Sequence, residues 1–231
     1  MLIRLATACD LDAMTWVLIG AAPLDPVYPY RYPDRHLYSG EFAELCRRKC
    51  YDYLATSIVV VCEMAPTGPD SDPEKSRVVA FCAWDPPKPY APGSQQKSQS
   101  FHQLPPFQEL GIPSPSPIAI GNKDRMDAFR DACAASKTSF FDTRYHRRGH
   151  MFLKILLCHP DYQRRGAGRA LTNWGIEAAQ RQGLNTTVFA SPMGYKLYRK
   201  LGFKPIGKFR VQLEGEEAFL VIPALVLRPR V

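Results

Sequence analysis

The stretch Cys158-His-Pro-Asp-Tyr-Gln-Arg-Arg-Gly-Ala-Gly-Arg-Ala170 gathers the residues of this chain best suited to do chemistry. A phosphate needs backbone N–H donors and positive potential, and a Gly-containing turn that opens a helix supplies both. Gly166 and Gly168 lack a Cβ, so the backbone there can approach a pyrophosphate closely. Arg164, Arg165 and Arg169 add charge around it. The apolar run over 151–158 precedes the turn and reads as a central strand covered on both faces. An amphipathic pattern over 166–182 follows, with Ala167, Leu171, Trp174 and Ala178 on one side and Arg169, Asn173, Glu177 and Arg181 on the other. A lone Gly-x-Gly marks only a turn. A strand, Gln-x-x-Gly-x-Gly and an amphipathic helix in succession mark a phosphate-binding site.

Other reactive side chains are spaced less tellingly. His146 and His150 stand four apart, which invites a metal. Strand context does not align two ligands at that spacing and no third ligand is evident, so no metal is expected. Cys46 and Cys50 would share a helical face, but the seven cysteines include no Cys-x-x-Cys pair and most sit in apolar runs. Free, packed thiols in a reducing compartment are the expectation.

The elements that must hold this turn read mostly as alternating strands and helices. Residues 1–6 form a short strand, and Asp10 caps a helix through about residue 19 with Leu11, Met14 and Leu18 on one face. Residues 22–35 contain Pro23, Pro26, Pro29 and Pro33 and read as a turn-rich loop. A helix over 39–54 leads to β-branched strands over 57–64 and 77–84, which pair as a hairpin with a long connection. Residues 85–116 are rich in Pro, Ser and Gln with no period and read as a long loop. Met126, Phe129 and Cys133 give 123–136 helical spacing, and 144–150 is a basic run leading into the central strand. After the strand-turn-helix unit come a strand over 186–190, a short helix over 194–201, and closing strands over 204–213 and 218–227.

Segment 158–170, together with Leu197-Tyr-Arg-Lys-Leu-Gly-Phe203, resembles the two signatures of the GCN5-related N-acetyltransferase (GNAT) superfamily. The motif likeness covers about residues 150–206, and the N-terminal half agrees in element order. The resemblance implies an α+β fold of three layers: a mixed, mostly antiparallel sheet flanked by helices and splayed at its central strands. Residues 1–231 would form one domain with an insertion at about 85–149. Acetyl-CoA is the implied co-substrate. Leu156, Leu157 and Cys158 would offer backbone groups to its pantetheine and acetyl carbonyl. Gln163, Arg164, Arg165, Gly166, Ala167, Gly168 and Arg169 would hold its pyrophosphate. Tyr198 matches the tyrosine that protonates the departing CoA thiolate, a role that suits a positioned O–H donor in a dry site.

The chain also departs from the family pattern. Ser191 stands where many members carry an Asn that contacts CoA. Phe152 and Lys154 stand where members with a base on the central strand often place Glu or His. Phe152 cannot accept a proton, and Lys154 could do so only if burial lowered its pKa strongly. His150, two residues further out on the same strand face, is the candidate base, acting through water.

In this fold the loop between the first two helices borders the acceptor, and here it carries Tyr28, Tyr30 and Tyr32, with Tyr38 just beyond. An aromatic-lined pocket suits an aromatic or arylalkyl amine. The expected reaction is transfer of acetyl from acetyl-CoA to a small-molecule primary amine by direct attack. Two alternatives stay open. Acetylation of protein lysines or N-termini needs an open groove, which a bulky insertion opposes. A non-catalytic acyl-CoA-binding module fits the missing strand base but not Tyr198.

Composition bounds the remaining classes. The chain has 231 residues, a net charge of +8 and 45% hydrophobic residues, as suits a soluble globular protein. The basic residues are scattered and no aromatic-plus-basic motif appears, so no nucleic-acid partner is expected. Apolar runs such as 58–61 and 155–158 are far shorter than the ~20 residues a membrane span needs. Asp10 and Asp12 interrupt the N-terminal apolar stretch, so no secretory leader is expected. The reading is a cytoplasmic monomer or homodimer with no nucleic-acid or membrane partner.

Overall fold

A computed structural model describes residues 1–65, 76–85 and 120–229. Its elements in chain order are β1 (Leu2–Leu5), α1 (Leu11–Ala21), α2 (Val27–Arg31), α3 (Ser39–Thr56), β2 (Ile58–Met64), β3 (Arg77–Asp85), α4 (Lys123–Lys137), β4 (His150–Cys158), α5 (Ala167–Arg181), β5 (Asn185–Phe189), α6 (Pro192–Lys200), β6 (Lys204–Gln212) and β7 (Phe219–Leu227). One turn of π-helix, Thr138–Asp142, extends α4. The long loop expected over 85–116 lies outside the described residues, apart from Asp85 at the end of β3.

The seven strands form one sheet in the order β1-β2-β3-β4-β5-β7-β6. Only β4 and β5 are parallel, and every other neighbouring pair is antiparallel. A parallel pair needs a crossover connection, and α5 supplies it. This is the mixed, mostly antiparallel α+β sheet that the motif order implies. Helices α1 and α3 cover one face through Met14, Leu18, Leu54, Val61 and Phe81. Helices α5 and α6 cover the other through Leu171 and Tyr198, against Val60, Cys82 and Trp84. Strands β2 and β3 are therefore buried on both sides, which is why they read as continuous apolar runs.

Residues 22–35 differ from the expected loop. They hold a short 3-10 turn and the five-residue helix α2, with Pro29 inside it. Pro29 is tolerated because it is the third helical residue, where an N–H would have no intrahelical partner. Tyr30 and Tyr32 still donate to the carbonyls of Pro26 and Tyr28, at 3.1 and 2.8 Å.

The register of β4 sets the shape of the centre. Ala83 faces Ile155 and Trp84 faces Leu153, so Lys154 is an extra residue without an opposite number on β3. On the other edge, β4 pairs with β5 only from His150↔Asn185 to Leu153↔Val188. A bulge bends a strand and increases its twist. The two parallel strands accordingly part where the extra residue is inserted. Side-chain parity flips at the same point. Met151 and Leu153 pack towards α5, and so do Leu156 and Cys158, while Ile155 and Leu157 pack towards α1 and α3.

The contact of α5 with β3 depends on Gly175. A Cβ there would lie 2.1 Å from the ring of Trp84, which is fully buried. Alanine at a mid-helix position gains about 1 kcal/mol of helix propensity over glycine. Overpacking costs typically 1–3 kcal/mol and here meets a rigid ring. The clash outweighs the propensity, so Gly175→Ala is expected to lower the melting temperature by about 3–8 °C. Calorimetry on the purified variant checks this, and an unchanged or raised melting temperature contradicts it.

Candidate active site

The anion-binding turn lies at the end of β4. Arg164 and Gly166 both adopt positive φ, 65° and 94°. Turns of this kind gather backbone N–H groups into an anion-binding concavity. Ala170 makes the helix-opening bond to the Gly166 carbonyl at 3.0 Å. The amides of Ala167, Gly168 and Arg169 therefore have no intrahelical partner. Arg164, Arg165, Gly166 and Arg169 are exposed, and Gln163 ties the turn back to the strand through Nε2 to the Cys158 carbonyl at 3.2 Å. The two glycines serve different needs. A Cβ at Gly166 would meet nothing within 4 Å, so its φ is what calls for glycine. A Cβ at Gly168 would lie 3.3 Å from Leu197 Cδ2, so that glycine lets α5 approach α6.

Beyond Leu153 the edge of β4 facing β5 has no ladder partner. Leu156, Leu157 and Cys158 sit on this open edge. An unpaired edge offers alternating N–H and C=O groups to an extended ligand, as in strand addition. Cys158 is half-buried and its thiol, pushed up to about 11 by burial, donates weakly to the His159 carbonyl. A packing role suits it better than a nucleophilic one.

Tyr198, in α6, packs into the core layer that also holds Leu156 and Cys158. Its side chain is 5% exposed, and a Cβ at Gly194 would crowd its ring at 2.7 Å. Burial pushes the phenol far above its usual range, with smaller contributions from Cys82 and Asp25. Tyr198 is therefore a protonated O–H donor at neutral pH. Ser191 begins α6, and its carbonyl accepts from Gly194 and Tyr195 at 3.1 and 3.0 Å. Its side chain makes no capping bond.

His150 is buried at the start of β4. Nε2 lies 2.9 Å from Asp142 Oδ1 and Nδ1 lies 2.7 Å from Thr187 Oγ1. A carboxylate only accepts, so Nε2 carries the proton; in the neutral ring Nδ1 then accepts from the threonine hydroxyl, whose other acceptor, the Met151 carbonyl, is farther away at 3.5 Å. Both nitrogens are thus committed, and removing a proton from an amine would require one of these bonds to break. Asp142 also meets Lys137 Nζ at 3.4 Å. Sequence reading missed Asp142, since nothing local marks a π turn that returns a carboxylate to the strand. The bulge residue Lys154 pairs with Asp85 at 3.2 Å and donates to Ser57 Oγ at 3.4 Å. His146 lies apart from His150, exposed, with Nδ1 against the Thr143 carbonyl.

The tyrosines of 28–38 divide among three places. Tyr28 and Tyr32 are 5% and 1% exposed, their rings 6.4 Å apart in the core under α1 and α3. Tyr30 packs on the opposite side against Val211, Leu220 and Ile222 of the β6–β7 hairpin. Tyr38 precedes α3 and is 39% exposed. These rings join elements together and do not converge. The same segment contributes Asp25, a carboxylate whose field reaches Tyr198 and which nothing in the sequence pattern had marked.

Comparison with known proteins agrees with this geometry. The family model described as "Acetyltransferase (GNAT) domain" matches residues 132–205, from the end of α4 to the start of β6. A Stachybotrys chartarum protein named "Acetyltransferase" is 29% identical over 92 residues, 40% of this chain and 37% of that protein. The match thus spans little more than a third of the length of that curated relative. A mosquito arylalkylamine N-acetyltransferase-like protein superposes with a TM-score of 0.60 at 16% identity, covering 98% of this chain and 99% of its own. A histone acetyltransferase and related acetyltransferase structure from Corynebacterium glutamicum superposes with a TM-score of 0.56 at 18% identity, covering 99% and 96%. The GNAT match thus covers residues 132–205, about a third of the chain, and the fold of the whole is the one these acetyltransferase structures share.

Two predictions follow from the local geometry. A left-handed conformation costs an L-residue about 1–2 kcal/mol, so Gly166→Ala is expected to distort the anion-binding turn and weaken its hold on a phosphate-bearing ligand about tenfold. Titration calorimetry with CoA measures this. The second concerns His150. Burial holds its pKa below the usual value, against the opposing pull of Asp142. Asp142, Lys137, Thr187, Asp85, Phe141 and Tyr145 surround it. The unfolded chain takes up this proton first, near pH 6.5. The stability His150 contributes is thus whole above about pH 6.5 and is lost as pH falls through its folded pKa. His150→Gln keeps a donor for Asp142 but does not titrate. Its melting temperature should fall less between about pH 7 and 5 than that of the wild type. Parallel thermal curves would contradict the assignment.

Proposed function

We propose that the protein is an acyl-CoA-dependent N-acyltransferase that moves acetyl from acetyl-CoA to a primary amine of a small molecule. The observation that carries this reading is the parting of β4 from β5 at Leu153, between the anion-binding turn and Tyr198. An extended thioester ligand would find its phosphate donors in the turn, its backbone partners on the edge and its leaving-group acid in Tyr198, which packs in the same layer as Leu156 and Cys158.

The residues present fit CoA. The turn around Arg164 and Gly166 and the free amides of α5 would take the pyrophosphate, with Arg165 and Arg169 beside it. The edge at Leu156, Leu157 and Cys158 would pair with the pantetheine amides, and Ser191 would border it. An amide on the same edge would hold the oxyanion that develops on the thioester carbonyl. The amine nitrogen bonds to that carbon as the C–S bond breaks. The amine proton leaves through water, and Tyr198 donates its proton to the thiolate. With both ring nitrogens engaged, His150 is assigned a positioning role: together with Asp142 it fixes the parallel edge from which β4 departs.

Contacts of α4 with α2 and with β6 support a small acceptor, because they cover the sheet face across which a protein substrate would lie. The segment that carries α2 borders this side through its contacts with α4, while its tyrosines are spent on packing. We further place residues 1–231 in one domain with the insertion at about 85–149, whose residues 86–119 are outside the description. All seven cysteines are free thiols, which suits a reducing, cytoplasmic setting. No helix among the described residues is long and apolar enough to cross a membrane.

Incubation with acetyl-CoA and a panel of aromatic, aliphatic and peptide amines, followed by thiol release, tests the reading. Turnover with one small-amine class is expected. Tyr198→Phe should lower kcat about 100-fold or more, with CoA affinity unchanged, as for loss of a general acid. Acetyl-CoA binding without turnover on any amine would point to a binding module. Turnover on peptides alone would point to a protein acetyltransferase.

A further inference from the structure

The acceptor side contains a guanidinium that no carboxylate neutralises among the described residues. Arg31, the last residue of α2, is half-buried. Its guanidinium carbon lies 4.4 Å from the ring centre of Phe129, 5.0 Å from that of Tyr28 and 5.3 Å from that of Tyr32. Its Nε donates to the Val27 carbonyl at 3.1 Å. The charge reaches Tyr53 of α3 and Cys133 of α4, so Arg31 stands where α2, α3 and α4 meet. The nearby Asp25 accepts from the Val27 amide at 3.1 Å and forms no ion pair with Arg31.

This arrangement is costly unless something repays it. A half-buried cation without a counter-ion loses hydration, and cation–π contacts return only part of that. Stacking takes up the faces of the guanidinium and Nε is used internally. The remaining N–H groups lie in the plane of the fork, the geometry that accepts a carboxylate with two parallel bonds. Tyr28 of α2, Tyr32 just after it, Phe129 of α4 and a backbone carbonyl hold that fork still. Tyr28 and Tyr53 are held protonated by burial, so no phenolate serves as the missing anion.

We infer that Arg31 selects acceptor amines that also carry a carboxylate or a comparable planar anion. The inference rests on the acetyltransferase reading and narrows its substrate class from amines in general to amino acids, aminobenzoates and their like. A CoA phosphate is the other anion at hand, and its cradle is a different set of residues, the turn at Arg164 and Gly166 and the first amides of α5.

The test uses matched pairs that differ by the anion: 3-aminobenzoate with aniline, phenylalanine with phenethylamine, and 4-aminobutyrate with propylamine. Wild-type enzyme should favour the carboxylate member of at least one pair by about tenfold or more in kcat/KM. In Arg31→Gln that member should lose about 100-fold, the scale of a charge-assisted bidentate contact, while its partner changes less than about threefold. Arg31→Lys, which keeps the charge but not the fork, should fall between. Preference of the wild type for the uncharged members, or equal loss for both members in Arg31→Gln, would overturn the inference. Unchanged CoA affinity in the variants separates this site from the phosphate turn. Should no amine be turned over, calorimetry of the CoA-bound protein with benzoate and 3-phenylpropionate, against their amides, still decides. Carboxylate binding that disappears in Arg31→Gln upholds the anion site while the transferase reading fails. Absence of carboxylate binding by the wild type overturns it.

Discussion

One extra residue in β4 governs the centre of this molecule. With Lys154 inserted opposite the Ala83–Trp84 step, β4 cannot keep both its antiparallel ladder with β3 and its parallel ladder with β5. The antiparallel ladder with β3 continues to Cys158, and the parallel one stops at Leu153. The result is a strand buried in the middle of a sheet that nevertheless has an unpaired edge. An exposed edge is normally a liability. Here it opens where β4 parts from β5, so that what pairs with it must be extended.

The electrostatics of the two ends differ in kind. At the C-terminal end of β4 the positive potential comes from a turn with two left-handed residues, the amides of α5 and exposed arginines, one of which, Arg165, lies over the Tyr162 ring. Such a site suits a ligand with several mobile negative oxygens. Around the start of β4 and at α2, three cationic or titratable groups are fixed by their neighbours. Lys154 is tied to Asp85 and Ser57, His150 to Asp142 and Thr187, and Arg31 is locked among three rings. Fixed polar groups discriminate among ligands by geometry, because they do not rearrange to suit a poor match.

The segment that joins β3 to β4 contributes structure as well as length. Helix α4 packs on α2 and β6, and its π turn places Phe141 against Phe152 and Phe189. That same turn brings Asp142 to His150. The segment thereby becomes part of the wall around β4, and the beginning of the parallel pair is buttressed from outside the sheet.

The sequence alone determined whatever depended on near neighbours in the chain. The phosphate turn could be read because its requirements are local: a strand, two glycines, arginines and a helix start within thirteen residues. The sheet strands could be read because burial on both faces leaves uninterrupted apolar runs, and the helices because their apolar residues recur with the helical period. The helix at Val27–Arg31 was hidden because four prolines resemble a loop until their place within the helical turn is known. Only the tertiary structure decided the rest. The bulge at Lys154 is a mismatch between two strands and has no signature in either. The Asp142–His150 bond and the Arg31 cage join residues on separate elements. The tyrosines that read as one aromatic cluster face three directions, because adjacent positions on a short helix point to different neighbours. Chemistry carried by consecutive residues was legible, and chemistry made by packing distant residues together was not.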